Sequence, residues 1–215
     1  MANQPWQVLK PYLASAVTDS SATLQKLQHY AALIVQWNRN VSNLVSKNDE
    51  ARIVSRHIRE SIEPIDRVND FRDSRLIDFG SGAGFPAIPL AISGIGKDWT
   101  LIESRRPKTL FLRRVIQEIG LDPMQVVHDR LENFVADTQT NGTYDVFTSR
   151  ATLALGPTLG LAKELVRSNG AALLWKGSSL EEEMDSDQNW RDSWTLGDII
   201  RLTDTESVVA RFIRK

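Results

Sequence analysis

Cysteine is absent from all 215 residues, which removes disulfides, thiolate metal sites and every mechanism built on a cysteine nucleophile. Long apolar runs are also missing: none approaches the ~20 residues that a membrane-spanning helix requires. The opening MANQPWQVLKPYLASAV lacks the basic start and continuous apolar stretch of a secretion signal, so a cytoplasmic protein without membrane residence is expected. Net charge is nearly nil, −1 at pH 7. The chain as a whole therefore carries no electrostatic footprint for nucleic acid, and any basic surface must be local. What is present is a globular composition, 41% hydrophobic and 25% charged, in a length that suits one domain with a small helical appendage.

Hydrophobic period divides the chain in two. Leu24, Leu27, Ala31, Ile34 and Trp37 recur at three- and four-residue spacing, as do Ile53, Val54, Ile58 and Ile62 after a cap expected at Asn48 or Asp49, with Pro64 as a break. Residues 1–70 are thus predicted to form a helical segment packed on the core, and 71–215 the main domain. There, short apolar runs suit buried strands at 75–79, 99–103, 125–128, 145–149 and 171–176. Helical patterns fill the intervals at 86–94, 106–120, 129–138 and 155–170. Such alternation is the signature of an open, mostly parallel α/β sheet. GDIIRLT and SVVARFI are expected as an antiparallel pair at its edge, preceded by the acidic SLEEEMDSDQNW as a solvated helix or loop.

In open α/β sheets ligands bind where strand ends meet diverging connections, and the first such turn here is DFGSGAGFP. Gly80, Gly82 and Gly84 permit positive φ and close backbone approach, and Pro86 suits the first turn of the following helix. A dinucleotide fingerprint would place its third glycine at position 85, which is Phe85, and no Lys-Ser or Lys-Thr pair makes the loop a phosphate-binding P-loop. The remaining reading is an adenosyl ligand without a pyrophosphate, with Asp78 at the strand end before the glycines. Glu103 lies 19 residues beyond Gly84 at the next strand end, near the ~20-residue offset at which an acid meets a ribose diol.

This acid, G-x-G-x-G and second acid resemble the class I S-adenosylmethionine-dependent methyltransferases, whose Rossmann-like fold the resemblance implies. DFGSGAGFPAIPLAI is similar, in addition, to the loop of the small-subunit ribosomal RNA methyltransferase G family. WNRNVSNLVS, RHIRESI, TSRA and WKG resemble that family's other segments in order, across residues 37–177. Ala87 stands where the family often has glycine, and ESVVARFIRK diverges from the family's pattern near its final strand. The resemblance implies methylation of N7 of a guanine in the 530 loop of 16S rRNA, with S-adenosylmethionine as cofactor and S-adenosylhomocysteine as product. By the same resemblance Gly80, Phe85, Leu131, Glu132 and Arg150 are expected at the cofactor, beside Asp78, Gly82, Gly84 and Glu103.

Guanine N7 carries a lone pair and no proton, so no general base is needed and positioning supplies most of the catalysis. Arg150 is the expected catalytic residue, with the methionine carboxylate or the target base as its contact and an ion pair with Asp78 or Glu132 as the structural alternative. Leu131 is equally a core residue by its type, and Glu132 a surface acid. For RNA, residues 101–115 hold Arg105, Arg106, Lys108, Arg113 and Arg114 against Glu103 alone. Residues 47–67 balance five basic against five acidic side chains. Arg105, Arg106, Arg56, His57 and Lys176 are the candidate contacts to 16S rRNA or a small-subunit precursor, although a charge run is as often a solvated face. His57 and His128 each have a structural reading that outweighs a catalytic one. No metal is expected, and a monomer is. A small-molecule methyltransferase and a noncatalytic adenosyl- or RNA-binding domain stay open as alternatives.

Overall fold

The computed structural model describes residues 6–16, 19–136 and 141–215, side chains 14–16 excepted. Asp137 and Thr138, the expected end of the helix at 129–138, lie outside the described residues. The helical part runs through a 3-10 turn at Trp6–Leu9, α1 (Lys10–Ala16), α2 (Ser20–Asn40), α3 (Lys47–Glu50), a π-helical turn at Ile53–Ile58, α4 (Arg59–Ile62) and α5 (Ile65–Val68). Asp19 caps α2 by accepting from the Ser21 and Ala22 N–H groups at 3.0 and 2.9 Å, which satisfies two otherwise orphaned donors. The cap of α3 is Ser46 rather than Asn48 or Asp49: its hydroxyl accepts from the Asp49 N–H at 3.1 Å. In the π-helical turn the His57 N–H bonds the Arg52 carbonyl five residues back.

Seven strands follow: β1 (Arg75–Phe79), β2 (Asp98–Ile102), β3 (Met124–Val127), β4 (Tyr144–Arg150), β5 (Val166–Lys176), β6 (Trp194–Arg201) and β7 (Val208–Arg214). They form one sheet in the order β3-β2-β1-β4-β5-β7-β6, with β1 to β5 mutually parallel and β7 antiparallel to both neighbours. The connections carry α6 (Ala87–Ile92), α7 (Arg106–Ile119), α8 (Leu131–Val135), α9 (Leu155–Leu165) and α10 (Leu180–Ser186). Side chains alternate across the sheet with the two-residue period of a strand. Leu76, Val146, Leu173, Trp175 and Val209 enter one buried cluster with α2, the π-helical turn, α6 and α7. Ile77, Phe147, Ala172, Leu174, Ala210 and Phe212 enter another with α9. The N-terminal helices thus share a core with the sheet instead of forming one of their own.

One boundary departs from the expected pattern. Helix α9 stops at Leu165, not at residue 170, and the chain enters β5 directly. Tyr144 pairs with Val166 and Val146 with Ala171, so three extra residues bulge from β5. Asn169 takes φ +63° there, and a Cβ on Gly170 would stand 2.6 Å from the Asp145 carbonyl. SNG has the turn chemistry read from its residues, but the turn is a bulge in a strand rather than the end of a helix.

Candidate functional site

The order of strands reverses between β1 and β4, and the loops leaving β1, β2, β3 and β4 gather at that point, where an open parallel sheet offers its crevice. From β1 the chain enters residues 80–86. Gly80, Gly82 and Gly84 have φ of +66°, +59° and +99°, a region costly for residues with a Cβ. Pro86 occupies the cap position of α6 rather than its first turn. A Cβ on Gly80 would stand 2.5 Å from Thr152 Cγ2, and one on Gly84 2.5 Å from Ile88 Cγ1 and 3.1 Å from the Tyr30 hydroxyl. At Gly82, by contrast, the nearest atoms are 3.6 and 3.8 Å away, the second being Lys108 Nζ. A Cβ at Gly82 would therefore meet only ordinary van der Waals contacts, while those at its neighbours would press on protein.

Two acids organise this loop. Glu103, just past β2 and buried, accepts from the Gly82 N–H at 2.9 Å and the Arg105 N–H at 2.7 Å. Its carboxylate is thereby anchored at the cleft with lone pairs remaining. Asp78, fully buried near the end of β1, accepts from Thr148 Oγ1 at 2.6 Å through one oxygen, and the other has no partner. Burial pushes its carboxyl up to about 7, against the opposing pull of the nearby Ser81 and Thr148 hydroxyls, the first of which donates to the Asp78 backbone carbonyl at 3.2 Å.

Phe85, the residue that breaks the dinucleotide spacing, is the hub of a cluster from four elements. His57 stacks on its ring at 5.1 Å, Tyr30 meets it edge-on at 5.6 Å, and the Arg150 guanidinium lies 5.8 Å from its centroid. Tyr30 also donates to the Ala83 carbonyl at 2.6 Å, tying α2 to the glycine loop. Arg150, at the end of β4, is not paired with Asp78 or Glu132. Its Nη2 donates to Glu60 Oε2 at 2.5 Å and to His57 Nδ1 at 3.1 Å, and its Nη1 to the His57 carbonyl at 3.3 Å. Because Nδ1 accepts, the ring is neutral with its proton on Nε2. Burial, then the Arg150 charge, push His57 down to about 4. Burial also lowers the Arg150 pKa, with Glu60 opposing.

The remaining expected site residues divide. Leu131 is fully buried in the cluster beneath α9, while Glu132 is exposed in the first turn of α8. His128 is exposed, with Nε2 3.0 Å from the Ser104 carbonyl. Arg105 and Arg106 are exposed and have no side-chain ion pair among the described residues. Arg56 is held by Asp49 at 2.9 Å and by Glu60 at 3.6 Å, and the half-buried His57 stacks on Phe85, so neither is a free surface group. Lys176 donates to Glu183 Oε2 at 2.6 Å and to the Leu153 carbonyl at 2.9 Å. It clamps the loop after β4 to α10 in the way a structural ion pair does. Glu60 and Tyr30 were missed by the sequence reading; RHIRESI contained Glu60, but nothing local marks it as the partner of an arginine 90 positions later.

No group of three or more His, Asp or Glu side chains among the described residues could hold a metal, and none of their helices is long and apolar enough to cross a membrane. A sequence model of rRNA small subunit methyltransferase G matches residues 23–196. Among curated proteins called ribosomal RNA small subunit methyltransferase G, that of Chromobacterium violaceum is 36% identical over 172 residues, 80% of this chain and 78% of its own. That of Syntrophus aciditrophicus is 32% identical over 166 residues, 77% of this chain and 68% of its own. Among solved structures, a mutant of MtNAS in complex with S-adenosylmethionine is similar with a TM-score of 0.61 at 12% identity, covering 99% of this chain and 85% of that one. The tRNA methyltransferase TrmI from Aquifex aeolicus is similar with a TM-score of 0.59 at 8% identity, covering 73% and 68%. At such identities the likeness concerns the class I methyltransferase fold.

Proposed function

The chain belongs to the rRNA small subunit methyltransferase G family, and from that premise we propose that it methylates N7 of a guanine in the 530 loop of 16S rRNA, in the cytoplasm, with S-adenosylmethionine as donor. The observation that carries the cofactor reading is the Glu103 carboxylate anchored on the Gly82 N–H, beside a loop whose glycines take positive φ, at the sheet's switch point. A ligand can approach the loop backbone there, and a diol can donate to the acid.

The residues fit the group. Gly80, Gly82, Gly84 and Phe85 would line it, Glu103 would accept from its ribose, and Glu132 and the chain at Leu131 would border its adenine side. The orphaned oxygen of Asp78 and the Arg150 guanidinium would face its charged amino-acid end. When bound, S-adenosylmethionine supplies an electrophilic methyl. The chain's own task is then to exclude water and hold the base in line, since N7 presents its lone pair without losing a proton. No residue titrates during transfer. On the RNA side, the exposed and unpaired Arg105 and Arg106, with Lys108 beside Gly82, are the phosphate contacts we propose for 16S rRNA or a small-subunit precursor. Arg56, His57 and Lys176 belong to the supporting structure instead. The protein acts as a monomer in this proposal.

Mass spectrometry of 16S rRNA from cells lacking the gene tests the reading: loss of 7-methylguanosine from the 530 loop is expected, and its persistence would refute it. Calorimetry with S-adenosylhomocysteine tests the cofactor separately; no binding would leave a noncatalytic domain.

A further inference from the structure

A buried ion pair costs most of what it gains, and a pair of apolar side chains often serves stability as well. Retaining one beside a ligand cleft asks for a reason other than stability. Glu60 is 2% exposed, and it is pinned on all sides: its backbone carbonyl accepts from Trp175 Nε1 at 2.8 Å, and Oε1 lies 3.6 Å from Arg56 Nε. Its other oxygen meets Arg150 Nη2 at 2.5 Å. The neighbouring His57 adds two acceptors to the same guanidinium, its carbonyl and its Nδ1, and that carbonyl is itself held by Ser61 Oγ at 2.7 Å.

Three acceptors from one helical turn therefore converge on the Nη edge of Arg150 and select one orientation of a side chain that is otherwise rich in rotamers. The guanidinium is held beside Phe85, and its Nε–H makes no hydrogen bond to the described residues. An arginine fixed through one edge with a donor to spare is arranged to receive a ligand acceptor such as a carboxylate.

We propose that Glu60 is a positioning residue for Arg150, reaching from the N-terminal helical segment to set the guanidinium at the cofactor's amino-acid end. The site is then incomplete without that segment. The inference rests on Arg150 being a cofactor contact, and a double-mutant cycle separates the two ideas.

The probe is S-adenosylhomocysteine, titrated calorimetrically into the full chain and into Glu60→Gln, Arg150→Gln and the double variant, with thermal unfolding followed in parallel. Arg150→Gln and Glu60→Gln are each expected to weaken binding at least tenfold, and the double variant no more than Arg150→Gln alone, because Glu60 acts only through Arg150. A merely structural role would lower the unfolding temperature of Glu60→Gln and leave affinity as in the parent, which overturns the proposal. Parental affinity in Arg150→Gln would instead overturn the cofactor-contact reading beneath it. Should Glu60→Gln not fold, Glu60→Asp keeps the charge and withdraws it by one methylene; weakened binding supports the proposal and unchanged binding refutes it.

Discussion

Asp78 and His57 sit within the same site with their protonation pushed in opposite directions. Asp78 is raised from 3.8 to about 7, so between those values the folded protein holds a proton that the unfolded chain has lost. Its contribution to stability is present below pH 3.8 and is lost as pH rises through 7. His57 is lowered from 6.5 to about 4, and its contribution is present above pH 6.5 and lost as pH falls through 4. The two oppose each other across the interval they share. Ionising Asp78 in place costs on the order of 4 kcal/mol, of which the unpaired hydrogens of a buried amide would offset ~1–3 kcal/mol. Asp78→Asn should therefore stabilise the ligand-free protein at pH 8 by about 1–3 kcal/mol and leave a profile that rises from pH 4 to 6.5. Urea unfolding at pH 5 and pH 8 reads this directly; a variant no more stable than the parent at pH 8 would contradict the assignment. The same variant should bind S-adenosylhomocysteine more weakly, because the anion is what a cationic amino group meets.

At the scale of elements, the glycine loop and the loop after β4 brace each other. Gly84→Ala places a Cβ against Ile88 and Tyr30 at φ +99°, so a loss of roughly 2–4 kcal/mol is expected from strain and overpacking together. A Cβ at Gly82 meets no protein atom within 3.4 Å, so Gly82→Ala carries the strain of φ +59° without overpacking and should cost less stability, while Gly82→Val should abolish cofactor binding. Thermal unfolding paired with calorimetry distinguishes them, and the reverse order would show that the cleft opens elsewhere. The Lys176–Glu183 clamp is an element-level device too. Glu183 accepts from the Leu155 N–H at 2.6 Å as well as from Lys176, joining α10 to the start of α9. Glu183→Gln should lower stability by about 1.5–3 kcal/mol and increase amide exchange over residues 151–155; unchanged exchange there would remove the clamp from the account.

At the scale of the molecule, the helical part cannot be a detachable appendage. Leu27, Ile34, Ile53, Val54, Ile58 and Ile62 share one buried cluster with Leu76, Val146 and Trp175 of the sheet. A chain of residues 71–215 alone would expose that face of the sheet, and it is expected to lose cooperative unfolding and bind a hydrophobic dye. A sharp, two-state urea transition from that fragment would refute the shared core. RNA binding also belongs to this scale. With a net charge of −1, affinity must come from a local patch. Charge-removing variants of Arg105 and Arg106 should each weaken rRNA binding and reduce its salt slope by about one phosphate contact. An unaltered slope in both would move the RNA surface elsewhere.

The glycine loop, its two acids and the alternation of strand and helix were legible in the sequence because each is contiguous chemistry. Positive φ demands glycine, and a buried parallel strand demands an apolar run, whatever surrounds them. The same locality explains what was misread: SNG carries real turn chemistry, yet only pairing with β4 shows that the turn bulges from a strand. Nor could the sequence show that Lys176 and Arg56, candidate RNA contacts, are met on folding by Glu183, Asp49 and Glu60. Folding also turned Phe85 from the absence of a glycine into the hub on which Tyr30, His57 and Arg150 converge. By itself the sequence determined the sheet, its glycine turn and the family resemblance. Tertiary structure alone decided which charges are spent on one another, because an ion pair joins side chains by distance in space, and no spacing along the chain encodes Glu60 meeting Arg150.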